Sequence, residues 1–134
     1  AKFRDGKAIG IGEMVVKYGF SNEAPDGGWT RGETTALAGW NLTGRMDTNI
    51  LDYNAESGPG NSGGPVLDQS GAVVGIVSSG AGKNNHSAVK SSVAEQFLAV
   101  NLVDYAKADS ARILDPAGIA QEAEKYTVVV WCWQ

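Results

Sequence analysis

One cysteine, Cys132, and one histidine, His86, are all that this 134-residue sequence contains of either type. A single thiol excludes an internal disulfide and any cysteine-based metal cluster, and no metal or cofactor is called for. Charge is sparse as well: 19% of the residues are charged, the formal net charge is −4, and no lysine or arginine run occurs. That excludes the basic footprint of a nucleic-acid binder. No apolar stretch approaches the roughly 20 residues of a membrane-spanning helix, and no signal-peptide pattern opens the sequence. Ala1 is not an initiator Met, which leaves room for a removed signal, so the compartment stays open. What is abundant is apolar side chain, at 43%, and glycine, at 18 residues. The first describes a chain able to build a core; the second suits many short strands joined by tight turns. The length fits one compact unit.

The stretch that organises the rest is Gly58-Pro59-Gly60-Asn61-Ser62-Gly63-Gly64-Pro65. A serine hydroxyl is a poor nucleophile unless a base and an anion site are prepared for it. Glycines on both sides let the backbone turn without a Cβ clash, so that consecutive N–H groups can converge as an oxyanion hole. A Gly-Xaa-Ser-Xaa-Gly string alone is equally an ordinary turn.

Read in order, residues 1–7 are an irregular entry segment, followed by β-branched and aromatic residues bounded by glycine at 9–19, a strand. Residues 21–28 are turn chemistry and mark an exposed loop. Further strands are expected at 29–39 and 46–53, with a turn at 41–45, then on either side of Ser70-Gly71, and at 88–90 after a loop at 79–87. Six short strands with regular turns imply a closed antiparallel barrel. Ser92-Val93-Ala94-Glu95 is a capping-box pattern. Val93, Phe97 and Val100 at helical spacing, with Leu98 and Leu102 alongside, carry an amphipathic helix to about Lys107. Asp115-Pro116 starts a second helix reaching about Lys125, and residues 126–133 read as a strand with an exposed apolar face that can pair with a sheet edge or another chain. The division expected is a barrel lobe with its closing helix at 1–108 and a helix-strand extension at 109–134.

The longer string Gly60-Asn61-Ser62-Gly63-Gly64-Pro65-Val66-Leu67, a turn at Asp68-Gln69-Ser70-Gly71, and Val73-Val74-Gly75-Ile76-Val77-Ser78-Ser79-Gly80 resemble the trypsin-like serine peptidases of the chymotrypsin fold, particularly their bacterial HtrA-like and V8-like branches. The strand Gly12-Glu13-Met14-Val15-Val16-Lys17-Tyr18-Gly19 and Asp52 shortly before the serine loop match the same pattern. The resemblance implies the second, six-stranded Greek-key lobe of that fold. Ser62 would be the nucleophile, and the N–H groups of Gly60 and Ser62 the oxyanion hole. Ser78, Ser79 and Gly80 would pair with substrate and wall its pocket. Residues 54–57, with Glu56 and Ser57, would form the opposite wall. It also implies a peptide or protein substrate and a secreted or periplasmic setting. Asn61 stands where animal trypsins carry an Asp that binds a freed N-terminus. A neutral amide cannot make that ion pair, so activation by N-terminal cleavage is not implied.

A peptidase of this class needs a histidine base and an orienting carboxylate, which the family carries upstream of the serine. No histidine precedes Ser62 here. His86 follows it and is not assigned as base; its plain reading is a partly exposed loop residue, its other reading a place on the substrate-pocket rim. Asp52 reads as a strand-end residue bonding backbone, and Glu56 as a solvated loop carboxylate. The expectation is a nucleophile-bearing lobe whose His and Asp lie in an upstream lobe, in the same precursor or a separate chain, so that this chain alone is a poor hydrolase. Two alternatives stay open. One is a non-catalytic barrel that binds peptides as an added strand; the other is an assembly module working through the tail strand.

Overall fold

Valine alternation places the core. In β2 (Met14–Phe20) Val15 faces one way and Val16 and Tyr18 the other, and all three are buried, because β2 is covered on both faces. The computed structural model describes residues 1–21, 34–43, 48–80, 86–108 and 111–130. Besides β2 it contains β1 (Lys2–Arg4), β3 (Thr34–Trp40), β4 (Ile50–Tyr53), β5 (Pro65–Asp68), β6 (Val73–Gly80), β7 (His86–Lys90), α1 (Ser91–Val100), β8 (Ala106–Ala108) and α2 (Pro116–Glu124).

Six strands pair antiparallel in the order β3-β2-β5-β6-β7-β4. The outer two meet through an isolated bridge, Asn41 to Tyr53. The backbone bonds Leu42 N–H to Asp52 O at 2.8 Å and Asn54 N–H to Trp40 O at 3.3 Å support it. The result is a mainly β, barrel-like lobe whose last seam is bridged rather than fully laddered. Inside it pack Val15, Leu51, Tyr53, Ala55, Val66, Val74, Val77 and Ala88. A second core lies outside the sheet, where Val16, Tyr18, Leu67 and Val73 meet Phe3 and the α2 residues Ile119 and Ala123.

Several local expectations are corrected. Residues 2–4 form β1, which runs parallel to β6 and to β8, making the sheet mixed. The first helix stops at Val100 rather than near Lys107 because Leu102 takes a left-handed conformation, φ 58°. Its N–H bonds Ala99 O while Val103 N–H bonds Leu98 O, a Schellman closure. The capping box does not form: the helix begins at Ser91, its N-cap Lys90 makes no side-chain cap bond, and Glu95 instead pairs with Lys107 at 3.0 Å. The second helix begins as expected, with Asp115 capping Gly118 N–H. Residues 127–130, expected as strand, are not in one; the chain folds back on the helix end, Thr127 N–H and Oγ1 both donating to Ala123 O at 3.0 and 2.8 Å. Residues 131–133 of that expected strand, and most of the expected loop at 21–28, lie outside the described residues.

Tyr126 gives the fold a measurable alkaline limit. Burial and the nearby Glu122 charge push its phenol up to about 12 from an ordinary 10.0, and its hydroxyl has no partner among the described residues. The folded chain therefore holds this proton more tightly than the unfolded chain. The stability it contributes is complete below about pH 10 and is lost as pH rises towards about 12. Tyr126→Phe should leave stability near neutral pH unchanged or slightly raised, since an orphaned hydroxyl is removed, and should flatten the alkaline fall in urea midpoint.

Candidate active site

The Ser62 loop, residues 54–64, is tied down at both walls. Tyr53 OH and Ser57 Oγ share a hydrogen bond of 2.9 Å, and Asn54 Oδ1 accepts from Trp40 N–H at 2.7 Å. Further along, Asn61 N–H reaches Gly58 O at 3.2 Å, Gly64 N–H reaches Asn61 O at 3.0 Å, and Gly63 N–H and Val77 O close at 2.8 Å onto β6. Gly60 and Gly63 sit at φ 92° and 84°, values that favour glycine. The tip so formed exposes Ser62. Among the described residues the N–H groups of Gly60 and Ser62 donate to no acceptor, and the Ser62 hydroxyl has no partner.

Beneath the tip lies a polar link that the sequence reading missed. Lys17, 1% exposed, donates from Nζ to Asn61 Oδ1 at 2.8 Å and to Thr35 Oγ1 at 3.3 Å. Asn61, 3% exposed, also accepts from Gly58 N–H at 2.9 Å and donates from Nδ2 to Phe20 O at 2.8 Å. Burial pushes the Lys17 ammonium below its ordinary pKa, and the Glu56 charge works against that fall. Asn61 thus accepts from an ammonium, that of Lys17, from within the barrel. Lys17 shares a strand face with Val15. That inward phase was the one signal available, and it becomes informative only once the pairing is known.

The expected pocket residues are brought to one end of the barrel. In the β6–β7 ladder Val77 pairs with Ala88 and Ser79 with Ser87, which leaves Ser78 as an extra, exposed residue in a bulge. Such bulges re-aim side chains beside active sites. Gly80 pairs with His86, and His86 with Tyr53. Glu56 is exposed and Ser57 half-buried.

Two expectations fail here. His86 is no exposed loop residue: it begins β7 and is 3% exposed, its ring 6.0 Å from that of Tyr53. Neither ring nitrogen has a partner among the described residues, so no bond to Ser62 is made. Each such orphan costs about 1–3 kcal/mol. Asp52 bonds a side chain rather than backbone, Oδ1 accepting from Ser87 Oγ at 2.8 Å.

A cavity of about 450 Å³ lies elsewhere, between residues 4–11 and the start of α1, lined by Arg4, Lys7, Asn41, Lys90, Glu95 and Lys107 among others. It includes no residue of the Ser62 loop, and two of its cations are already paired, Arg4 with Glu13 and Lys107 with Glu95. No cluster of metal-ligating side chains occurs among the described residues.

The family model of the trypsin-like peptidase domain matches residues 1–76, a span that contains the whole Ser62 loop. The chain belongs to the trypsin-like peptidase family. Among relatives, it is 36% identical over 85 residues to the serine protease Do-like HtrB of Bacillus subtilis, covering 57% of this chain and 18% of that protein. It is 29% identical over 137 residues to the uncharacterised protein y4bJ of Sinorhizobium fredii, covering 91% of this chain and 21% of that one. The chain therefore spans about a fifth of the length of each. In solved structures the fold is similar to the serine endoprotease of Yersinia pestis, with a TM-score of 0.60 at 21% identity, over 74% of this chain and 34% of that one. It is likewise similar to a Mycobacterium tuberculosis protease in its active form, TM-score 0.61 at 18% identity, over 81% and 51%. The fold is that of the trypsin-like, HtrA-like peptidases. No described helix is long and apolar enough to cross a membrane.

Proposed function

We propose that this chain is the nucleophile-bearing lobe of a serine endopeptidase, residues 1–108 forming the lobe and 109–134 an extension of it. The observation that carries this is Ser62 itself: exposed at the tip of a glycine-braced loop, with the Gly60 and Ser62 N–H groups making no bond among the described residues. Ser62 Oγ would attack the scissile carbonyl carbon and give its proton to a histidine of an upstream lobe, which an aspartate orients. The two N–H groups would hold the oxyanion. Collapse then expels the amine, protonated by the same histidine, and leaves an acyl-enzyme for water to hydrolyse. Ser78, Ser79 and Gly80 on one side, and Glu56 and Ser57 on the other, would hold the substrate. The missing base equally favours a second reading, in which the barrel binds peptides without cutting them.

Labelling with a fluorophosphonate serine probe, followed by intact mass, separates the two. The chain alone should not label, because loss of the base removes several orders of magnitude in rate. With the native upstream segment restored it should label at Ser62, and the Ser62→Ala form should not. Labelling in neither state would support the binding reading. Ser62-dependent turnover by the chain alone would overturn the assignment of the base to another lobe.

A further inference from the structure

We propose that Lys17 and Asn61 form a self-modification site: Lys17 Nζ attacks Asn61 Cγ, ammonia leaves, and an amide bond joins β2 to the Ser62 loop. This chemistry is independent of the peptidase reading, because it uses neither Ser62 Oγ nor an upstream lobe. The reacting groups already stand together. Lys17 Nζ lies 2.8 Å from Asn61 Oδ1, and a carbonyl bond of about 1.23 Å puts Cγ within about 4 Å of the amine. Both side chains are buried, at 1% and 3% exposure. The pair is therefore held in place, and bulk water, the competing nucleophile, is kept out.

Two neighbours supply what the step needs. Gly58 N–H donates to Asn61 Oδ1 at 2.9 Å, where negative charge gathers as the amine adds, the task of an oxyanion donor. Thr35 Oγ1 lies 3.3 Å from Lys17 Nζ and 3.4 Å from Asn61 Nδ2. Its hydroxyl can take the proton that the amine loses and give its own to the departing nitrogen. The step balances without a co-reactant: the Nζ lone pair forms the new C–N bond, the carbonyl pair moves to Oδ1 and returns, and the pair of the broken Cγ–Nδ2 bond leaves with ammonia. Nothing is oxidised or reduced. Burial lowers the Lys17 pKa and enlarges its neutral, nucleophilic fraction, with the Glu56 charge acting against this. The groups facing it from β3, the Ser62 loop and β5 are otherwise neutral: Thr35, Asn61 and, in register, Val66. An ammonium cannot attack, so near neutral pH the two rest as hydrogen-bonded partners and the link accumulates slowly.

The test incubates the chain as it stands at mildly alkaline pH and follows its intact mass alongside a peptide digest. A species lighter by one ammonia should accumulate, and the digest should contain a branched peptide in which Lys17 is joined to Asn61. That peptide is read on the unaltered chain, so the result does not depend on a variant folding. Lys17→Met should lose no ammonia, and in Asn61→Asp the same bond should release one water instead. Thr35→Val, which lacks the relay, should form the link about a hundredfold more slowly. The linked species should have a higher Tm than the unlinked one, since a tie across 44 positions restricts the unfolded chain. A loss of ammonia that persists in Lys17→Met would come from an asparagine closing on its own backbone, and overturns the proposal. An unchanged mass, a digest without the branched peptide, or a link formed at the full rate in Thr35→Val overturns it as well. Probe labelling at Ser62 is read separately, so the link and the peptidase reading stand or fall apart from one another.

Discussion

Asn61→Ala is expected to destabilise the chain by about 3–5 kcal/mol near neutral pH, because it strands a buried cation. Lys17 is 1% exposed and its ammonium is held by Asn61 Oδ1 at 2.8 Å and, more loosely, by Thr35 Oγ1 at 3.3 Å. Removing the amide also leaves Gly58 N–H and Phe20 O without their side-chain partners. The effect carries a pH signature. Burial already holds Lys17 below its ordinary 10.5, so between the lowered value and 10.5 the folded chain binds fewer protons than the unfolded one. Stability tied to Lys17 therefore rises with pH through that window, and the burial cost is felt in full below it. Without Asn61 the charged form is held less well and the pKa falls further, so the deficit of the variant should shrink as pH approaches about 10. Urea midpoints near neutral pH and near pH 10 read this. A Lys17→Met, Asn61→Ala double variant should recover most of the loss, giving a strongly favourable coupling in the double-mutant cycle. A deficit independent of pH, or additive behaviour in the cycle, would show that Lys17 is not the stranded group.

Gly64→Ala should cost about 3 kcal/mol or more, through overpacking against atoms that cannot move. A Cβ at this position would collide with Tyr18 O and stand 3.0 Å from Asn61 O. Both are main-chain atoms. Tyr18 lies inside the β2–β3 ladder, and Asn61 O already accepts from Gly64 N–H at 3.0 Å. Relief therefore requires either the strand or the Ser62 loop to shift, and Gly64 O, which accepts from Val77 N–H at 2.8 Å, resists the second. Gly63 is the control. A Cβ there meets nothing, yet its φ of +84° strains any L side chain. Gly63→Ala should cost about 1–2 kcal/mol, less than Gly64→Ala. Thermal melts rank the two, and equal losses would mean that the collision with Tyr18 O is relieved by local movement.

The Ser62 loop and the β5–β6 hairpin were legible because their determinants are local. Asp68 closes the turn by accepting from Ser70 N–H at 2.8 Å and Ala72 N–H at 3.0 Å, and Gly71 supplies φ 81°. The apolar runs on either side have only one way to be buried. The start of α2 was legible for the same reason, since Asp115 and Pro116 fix its first turn by themselves. β1 and β8 were not: three residues each, they carry no period that can be read, and they exist because a parallel register sets Phe3 beside Lys107 and Val73. The capping box failed because the helix begins at Ser91 with Lys90 as its N-cap, which puts Ser92 inside the first turn, while Glu95 pairs with Lys107.

By itself the sequence determined the turn chemistry around Ser62, the apolar strands and the order of its residues, with no histidine before Ser62, all properties of neighbouring residues. Only the tertiary structure decided which polar side chains are buried. Lys17 reaches Asn61 across 44 positions, and His86 meets Tyr53 across a strand pair. The physical reason is that burial of a charge or an imidazole is set by strand register and by what covers the end of the barrel, neither of which any local pattern records.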